Sequence, residues 1–211
     1  MHNFLFICEN FSYGGMETQI SDQVEFLKKM GDNCYLCTGR FVSSFCSSNF
    51  SKIFSGFDLS LEEDKLYKNV LDLLGIIREY KIDFIHVHPF RSILPGRIAA
   101  AVSARPSVVT LHGPLSLTYL NEIELNALKN TSLISVSQEV HDITLSKLNC
   151  ESLILPNTVN VGVRKGSYYR GKEDKVNALL VSRLDRDKVN GIKNFLSKLA
   201  DYEKENLSEI C

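Results

Sequence analysis

Three histidines offer the clearest candidates for chemistry, and each lies at the end of a predicted strand. His86 and His88 close the run 82–88, and residues two apart in a strand point to the same face. A catalytic zinc site needs a third protein ligand, and none is evident nearby, so we predict no metal. We favour an interpretation in which one of these two histidines packs and donates to a backbone carbonyl. The other lines a cleft, and His88 is our candidate for binding a ligand.

His112 directly follows the predicted strand 107–111, and the Gly-Pro pair after it forces the chain to turn. In open parallel sheets, ligands bind beyond the carboxyl ends of the strands, which is where this residue falls. A histidine that caps the loop is the alternative. Its position favours a functional role, and His112 is our candidate catalytic residue.

Gly14 and Gly15 lie between the first predicted strand, 4–8, and a predicted helix that begins at Met16. Glycines let the backbone approach a ligand closely, and the N-terminus of a helix offers free N–H groups to an anion. A plain tight turn explains the pair equally well. The chain contains neither GxGxxG nor GxxxxGK followed by Ser or Thr, so the pair matches no dinucleotide or nucleoside-triphosphate fingerprint.

Arg183 and Lys188 flank a polar turn between a predicted strand, 178–181, and a predicted helix, 192–202. Two cations beside the N-terminus of a helix suit a diphosphate. A solvated charged loop with internal ion pairs is the alternative interpretation. We retain both residues as candidates for binding a phosphorylated ligand.

The elements that must position these residues alternate between strand and helix along residues 4–155. Beside the strands named above, the sequence predicts further strands at 34–38, near Ile53, and at 133–136 and 152–155. Helices are predicted at 16–30, from 66 onward, and at 93–104, 118–129 and 139–148. This alternation predicts an α/β fold: a Rossmann-like parallel sheet with helices on both faces and right-handed crossovers.

The domain organisation follows from where this alternation stops. We predict a Rossmann-like domain at 1–163, a polar and basic linker at 164–175, and the beginning of a second domain at 176–211. One strand and one helix cannot bury their own apolar faces as an independent domain. We therefore expect the second domain to be incomplete in this chain.

The composition of the 211 residues is that of a soluble globular protein, with 44% hydrophobic and 23% charged residues. A net charge of −1 argues against a nucleic acid as the main partner. No apolar run is long enough to span a bilayer and no signal peptide is evident, so we predict a cytoplasmic protein. The six cysteines are predicted to be reduced thiols, and Cys34 and Cys37 to point to opposite faces of a strand rather than to bind zinc.

Taken in order, six short motifs resemble the retaining glycosyltransferases of family 4, which have the GT-B fold of two Rossmann-like domains. They are GGME at 14–17, DFIHVH at 83–88, TLHG at 110–113, VS at 136–137, LPN at 155–157, and VSRL at 181–184 with Lys188. The resemblance implies transfer of a sugar from a nucleotide-diphosphate sugar to an acceptor hydroxyl, with retention and without a required metal or cofactor. It implies that Gly15 approaches the donor phosphates or the acceptor and that His112 lies by the transferred sugar. Arg183 and Lys188 would stabilise the leaving diphosphate.

The resemblance also predicts reduced catalytic activity for this chain and the kind of biosynthesis in which it acts. The chain ends before the Glu-x7-Glu segment with which the family holds the donor sugar and ribose, so we expect it to be impaired or inactive as a catalyst. The expected setting is surface polysaccharide or glycolipid synthesis, with a carbohydrate or lipid-linked acceptor. The alternative is a non-catalytic Rossmann-like remnant or half-enzyme that acts as a binding module, with a separate C-terminal half as its partner.

Two further interpretations concern other ligands. A nicotinamide-dependent enzyme is disfavoured. Residues 38–40, Thr-Gly-Arg, stand at the end of the second predicted strand, and none of them is an acidic residue that could hold a ribose. The stretch 41–60 is rich in phenylalanine and suggests an apolar or lipid-linked acceptor. Peripheral contact with the inner face of the membrane through this stretch is a hypothesis.

Overall fold

The computed structural model of the protein describes residues 1–42, 49–59, 62–158 and 186–207. The chain forms two compact units, 1–161 and 162–211, which are described separately. In the described part of the first unit, seven parallel strands form one sheet in the order β3-β2-β1-β4-β5-β6-β7. The strands are β1 Asn3–Phe11, β2 Asn33–Phe41, β3 Lys52–Ser55, β4 Phe84–Val87, β5 Ser107–Leu111, β6 Ser132–Ser135 and β7 Leu153–Ile154.

In the described residues, helices follow β1, β3, β4, β5 and β6 of this sheet. They are α1 Gly15–Lys29, α2 Glu63–Glu79, α3 Ile93–Val102, α4 Glu122–Leu128 and α5 Gln138–Leu148, with a short 3-10 helix at Pro114–Leu117. The strand order turns back at β1, so the chain runs one way from β1 to β3 and the other way from β4 to β7. Right-handed crossovers in opposite directions put helices on opposite faces of the sheet. This confirms the predicted Rossmann-like α/β fold.

Two hydrophobic clusters lie on the two faces of the sheet. On one face, Ile20 and Val24 of α1 pack with Phe6 of β1 and Leu36 of β2. The larger cluster joins β1, β4 and β5 to α2–α5, with central members Leu73, Ile93, Leu128 and Val140. The continuous apolar runs in the strands are explained by this burial on both sides.

Within the first unit, the predicted element boundaries agree with the structure for β5 and differ most at α4. A helix over 118–129 is predicted, but the structure has the 3-10 helix, a turn, and only then α4 from Glu122. Asn121 determines this start, because its Oδ1 accepts the N–H of Glu124 at 2.9 Å while Glu124 Oε2 accepts the N–H of Asn121 at 3.0 Å. This reciprocal capping box ends the preceding turn and begins the helix.

Cys34 and Cys37 point to opposite faces of β2, as their spacing predicts. Cys34 packs in the α1-side cluster and Cys37 in the larger one, and both are buried. Burial raises the pKa of the Cys34 thiol to about 12. With Cys8 and Cys150 they are free thiols, and Cys46 and Cys211 lie outside the described residues.

The phenylalanines of the stretch 41–60 pack inward where the structure describes them. Phe50 is buried and contacts the rings of Phe6 and Phe11 edge-on. Phe41 is half-buried against the same cluster, and Phe54 and Phe57 are half-buried against the other, whereas Phe45 lies outside the described residues. The apolar composition of this stretch is therefore explained, for the four described rings, by core packing rather than by a lipid partner.

The described part of the second unit is one helix, α6 Arg186–Leu207, which is longer at both ends than the predicted 192–202. The predicted linker 164–175 and the predicted strand 178–181 lie outside the described residues. The domain boundaries at 163 and 176 therefore stay predictions. Among the helices described, none has an apolar stretch that is long enough to cross a membrane.

Candidate functional site

The carboxyl edge of the sheet brings two of the candidate histidines into direct contact. His88 follows β4 and His112 follows β5, which are neighbours in the sheet. His88 Nδ1 and His112 Nε2 are 2.7 Å apart, a hydrogen-bonding distance, and the two rings are stacked with centroids 5.0 Å apart. Residues 24 apart in the sequence thus form one unit.

Backbone contacts on both sides fix this pair. The N–H of His88 donates to the carbonyl of Ile7 at 2.8 Å, and the hydroxyl of Ser92 donates to the carbonyl of His88. On the other side, Ser116 Oγ accepts the backbone N–H of His112 at 3.1 Å and that of Gly113 at 3.2 Å. The turn after β5 is therefore closed by a buried serine, and the imidazole of His112 is held in place.

Burial keeps the histidines neutral. His88 is fully buried, and desolvation lowers its pKa well below 6.5, with smaller contributions from His86 and His112. Desolvation also lowers the pKa of His112 to about 4 and that of His86 to about 3. At neutral pH each ring therefore carries one proton and no charge.

The contact between the two neutral rings couples their tautomers. One of the two contacting nitrogens must be the donor and the other the acceptor. The remaining nitrogens, His88 Nε2 and His112 Nδ1, are buried and have no hydrogen-bond partner among the described residues. One of them is therefore an N–H donor and the other a lone-pair acceptor, so the pair can satisfy one group of each kind on a ligand.

His86 has a structural role. Its Nε2 lies 2.8 Å from the hydroxyl of Thr110, and its ring packs at a tilt against the rings of Phe6 and His88, with centroids 5.4 Å and 4.2 Å away. His86 packs as one of the two histidines was predicted to, although its partner is a hydroxyl and not the predicted backbone carbonyl. The prediction that the other histidine lines a cleft is wrong for the described residues, because His88 is fully buried. In the described part of the chain, no group of three or more His, Cys, Asp or Glu side chains is placed to hold a metal ion.

The two glycines before α1 differ in whether a side chain would fit at their positions. A Cβ on Gly14, the N-cap residue, would lie 2.5 Å from Glu17 Oε2, because this buried carboxylate folds back to accept the N–H of Ser12 at 3.3 Å. A Cβ on Gly15 would meet nothing within 4 Å. Packing against Glu17 therefore explains why residue 14 is a glycine. Packing does not explain the glycine at position 15, which is exposed at the N-terminus of α1.

The described residues form a cavity of about 540 Å³ and another of about 760 Å³, and the larger of these two lies at the carboxyl edge. Its walls come from the end of β1, the loop after β4, and the segment between β5 and α4. The lining residues are Glu9, Glu62, Phe90, Arg91, Tyr119, Asn121 and Glu124. Below, it is called the acidic cleft.

The acidic cleft combines an aromatic pair with charged side chains. The rings of Phe90 and Tyr119 meet edge to face, with centroids 5.8 Å apart and an interplanar angle of 88°. Glu124 is buried, and desolvation raises the pKa of its carboxyl group, although Asn121 and Arg91 oppose the shift. Sequence reasoning missed this cleft, and the only local signal for it was the pattern Asn-x-x-Glu at 121–124, which predicts a capping box.

Comparison with known proteins shows to which family the chain belongs. The model of Glycosyltransferase Family 4 matches residues 13–162, well over half of the chain. The chain belongs to Glycosyltransferase Family 4. No curated protein sequence matches it.

Solved structures share the fold of this family 4 chain. They include a lipopolysaccharide outer core galactosyltransferase, WaaB, in its apo form (TM-score 0.62, 16% identity, 76% of this chain and 47% of that one). A glycosyltransferase from Rickettsia africae ESF-5 has a TM-score of 0.58 at 17% identity, over 74% of this chain and 42% of that one. Anabaena HepE in complex with UDP and glucose has a TM-score of 0.57 at 15% identity, over 75% and 45%. The family 4 chain thus spans less than half the length of these proteins, and its sheet corresponds to one Rossmann-like half of GT-B.

The remaining predicted site residues belong to the second unit. Arg183 lies outside the described residues. Lys188 is in the first turn of α6, and its side chain is not among those described. Of the predicted site of this family 4 chain, the structure therefore joins His88 to His112, and it leaves the two cations as predictions.

Proposed function

We propose that this family 4 chain is the acceptor-side half of a nucleotide-sugar glycosyltransferase that transfers its sugar with retention of the anomeric configuration. The observation that carries the proposal is the neutral pair of His88 and His112 at the carboxyl edge of the sheet, with two buried, unpartnered nitrogens. A buried polar atom without a partner is costly unless a ligand satisfies it.

In this proposal His112 lies beside the transferred sugar and His88 positions it. His112 is half-buried and His88 is fully buried, so His112 is the more accessible ring of the pair, although its unpartnered Nδ1 is itself buried. A neutral imidazole with a fixed tautomer can hydrogen-bond a sugar hydroxyl without adding a charge. The reaction then depends on stabilising the charge that develops on the leaving diphosphate.

Each of the two units contains candidate phosphate-binding groups of its own. Gly15 offers an exposed backbone without a side chain at the N-terminus of α1, where N–H groups and the helix dipole favour an anion. Arg183 and Lys188 supply positive charge for the leaving diphosphate. The structure of HepE was solved in complex with UDP and glucose, which supports a uridine diphosphate sugar as the first donor to test.

The acceptor is a carbohydrate, and a lipid-linked one is favoured. WaaB, a lipopolysaccharide galactosyltransferase by its name, suggests surface polysaccharide or glycolipid synthesis. Leu115, Tyr119 and Ile123 are all more than half exposed, and Tyr119 also lines the acidic cleft. An apolar surface beside a sugar site suits the lipid of a glycolipid at the inner face of the membrane, where a cytoplasmic enzyme would meet it.

A second candidate function, a half-enzyme that binds a separate partner chain, is favoured by one observation. An apolar cavity of about 390 Å³ lies on the α1 side of the sheet, lined by Phe4, Phe6, Phe26, Phe84 and others. Phe26 is mostly exposed there. Such a surface suits an apolar partner segment.

Calorimetric titration of the 211-residue chain with UDP and with GDP tests the proposed function. We expect micromolar binding of one of them, weakened at least about tenfold by Arg183→Ala or Lys188→Ala. Lys193→Ala, which removes an exposed lysine from the same helix as Lys188, is the matched control and should bind like the parent chain. Absence of binding by a cooperatively folded chain contradicts the diphosphate site and favours the half-enzyme.

A further inference from the structure

The acidic cleft has the surfaces that carbohydrate recognition requires. Tyr119 is 68% exposed, yet its ring is held edge to face against the half-buried Phe90. An aromatic ring fixed in this way offers an apolar surface on which the C–H face of a sugar ring can pack, while carboxylates and a guanidinium accept from and donate to its hydroxyls. The cleft lies at the edge where the sheet presents its ligand crevice.

The charges that line the cleft are predominantly negative. Glu9, Glu62 and Glu124 face a single cation, Arg91. Glu62 is paired with Lys65 at 2.8 Å, whereas Glu9 and Glu124 form no ion pair within the described residues. Desolvation is the main cause of the raised pKa of Glu124, and repulsion from Glu9 adds a smaller contribution in the same direction. A further carboxylate or a phosphate brought into the cleft would be repelled by these carboxylates.

We infer that the acidic cleft binds the acceptor and selects a sugar that is neutral or carries an amino group, rejecting uronic acids and sugar phosphates. The identification of the ligand as the acceptor rests on the proposed function. The charge selectivity rests only on the residues that line the cleft. Hydroxyl and ammonium groups donate hydrogen bonds to Glu9 and Glu124, and the apolar face of the sugar packs on Tyr119.

Ligand-observed NMR and calorimetry on the 211-residue chain test this inference with three methyl glycosides that share one ring: glucoside, glucosaminide and glucuronide. We expect millimolar binding of the first two, and binding of the glucuronide that is weaker by about tenfold or more. Equal affinity for the glucuronide, or no binding of any of the three, overturns the inference.

Two sets of variants separate shape from charge. Tyr119→Ala should weaken all sugars that bind, while Tyr67→Ala, which removes a tyrosine of the same exposure (67%) from α2, should change nothing. The double variant Glu9→Gln with Glu124→Gln should bring the affinity for the glucuronide within about threefold of that for the glucoside, because the repulsion is removed. Glutamine at 124 can still accept the N–H of Asn121, so the capping box persists.

These outcomes can be distinguished from those of the UDP titration. Selective sugar binding without UDP binding preserves the cleft and contradicts the proposed transferase. UDP binding without sugar selectivity preserves the proposed transferase and removes this inference. Glucuronide binding that stays about tenfold weaker in the double variant would place the discriminating charge elsewhere and also overturns the inference.

Discussion

The histidine cluster and the acidic cleft are built from the same two loops, after β4 and β5, and yet they are opposite environments. In the cluster, His86 and His88 pack against Phe6 and His112 stacks on His88, and the histidine rings are neutral and mostly shielded from water. The cleft, only two residues further along the β4 loop, is open, and its walls carry formal charges. The chain thus places a dry, uncharged hydrogen-bonding unit next to a wet, charged one.

This difference teaches which kind of selectivity each region can supply. A buried neutral pair with fixed tautomers discriminates by hydrogen-bond geometry, since an unmatched polar atom there stays unsatisfied. An open charged cleft discriminates mainly by the sign of the charge on the ligand, and it tolerates variation in shape. We therefore expect the reacting sugar to be recognised at the histidines and the acceptor to be sorted by charge in the cleft.

Removing the aromatic support of the cluster should have the largest effect. Phe6 is buried, stacks on His88 and packs against His86, so Phe6→Ala should lower the free energy of unfolding by about 3–5 kcal/mol. Tyr119→Ala, in the open cleft, should change it by less than about 0.5 kcal/mol. Urea unfolding of both variants checks the contrast, and similar losses would contradict the division into a dry and a wet region.

Lowering the pH should destabilise the protein, because it places positive charge on the buried histidines of the cluster. Unfolded histidine titrates near 6.5, whereas the folded pKa is about 3 for His86 and about 4 for His112. The unfolded chain therefore binds more protons below pH 6.5, and the free energy of unfolding falls as the pH is lowered. Between about pH 6 and pH 5 we expect a loss of about 1 kcal/mol for each of these buried histidines.

Chemical denaturation across this pH range, together with NMR titration of labelled histidine, measures the effect. The stabilisation should be fully present above pH 6.5 and should be lost progressively toward the folded pKa values. A histidine of the cluster that protonates near pH 6 in the folded chain would show that the cluster is not dry.

Breaking the support of the cleft should have a smaller effect on stability and a selective one on binding. Asn121→Ala removes the cap of α4 and should cost about 1 kcal/mol, because the N–H of Glu124 loses its acceptor. Ser137→Ala removes the analogous cap of α5, where Ser137 Oγ accepts the N–H of Val140 at 3.3 Å, and is the control.

The two cap variants should differ in their affinity for sugars. Only Asn121 also lines the acidic cleft, so only Asn121→Ala should bind the methyl glucoside less tightly, whereas Ser137 is not one of the lining residues. Calorimetry and urea unfolding on the same samples separate the two effects. Equal sugar affinities for both variants would show that the capping box does not support the cleft.

Much of the fold was predictable because it depends on local patterns. Apolar runs such as 4–8 and 107–111 predict strands buried on both faces, and Gly31 ends α1 with a φ of 87°, as a helix-ending glycine does. The start of α4 was not predicted correctly, because its apolar spacing extends back to Thr118. Asn121 ends that pattern by a side-chain hydrogen bond, and the choice depends on the 3-10 turn that precedes it.

The site was predictable residue by residue but not as an arrangement. The positions of His88 and His112 at strand ends follow from the sequence, since strand length and the turn residues after each strand are local properties. Glu9, Phe90 and Glu124 gave no such signal, because they become one surface only when β1, the β4 loop and α4 meet.

The sequence by itself determined the parallel Rossmann-like sheet, the edge at which ligands bind, and the histidines that reach this edge, since periodicity and turn chemistry are written in neighbouring residues. Only the tertiary structure decided that His88 and His112 contact each other, that both are neutral, and that a charged cleft lies beside them. The physical reason is that protonation, tautomer and ligand selectivity depend on desolvation and on charges from distant parts of the chain, which act only after those parts have packed together.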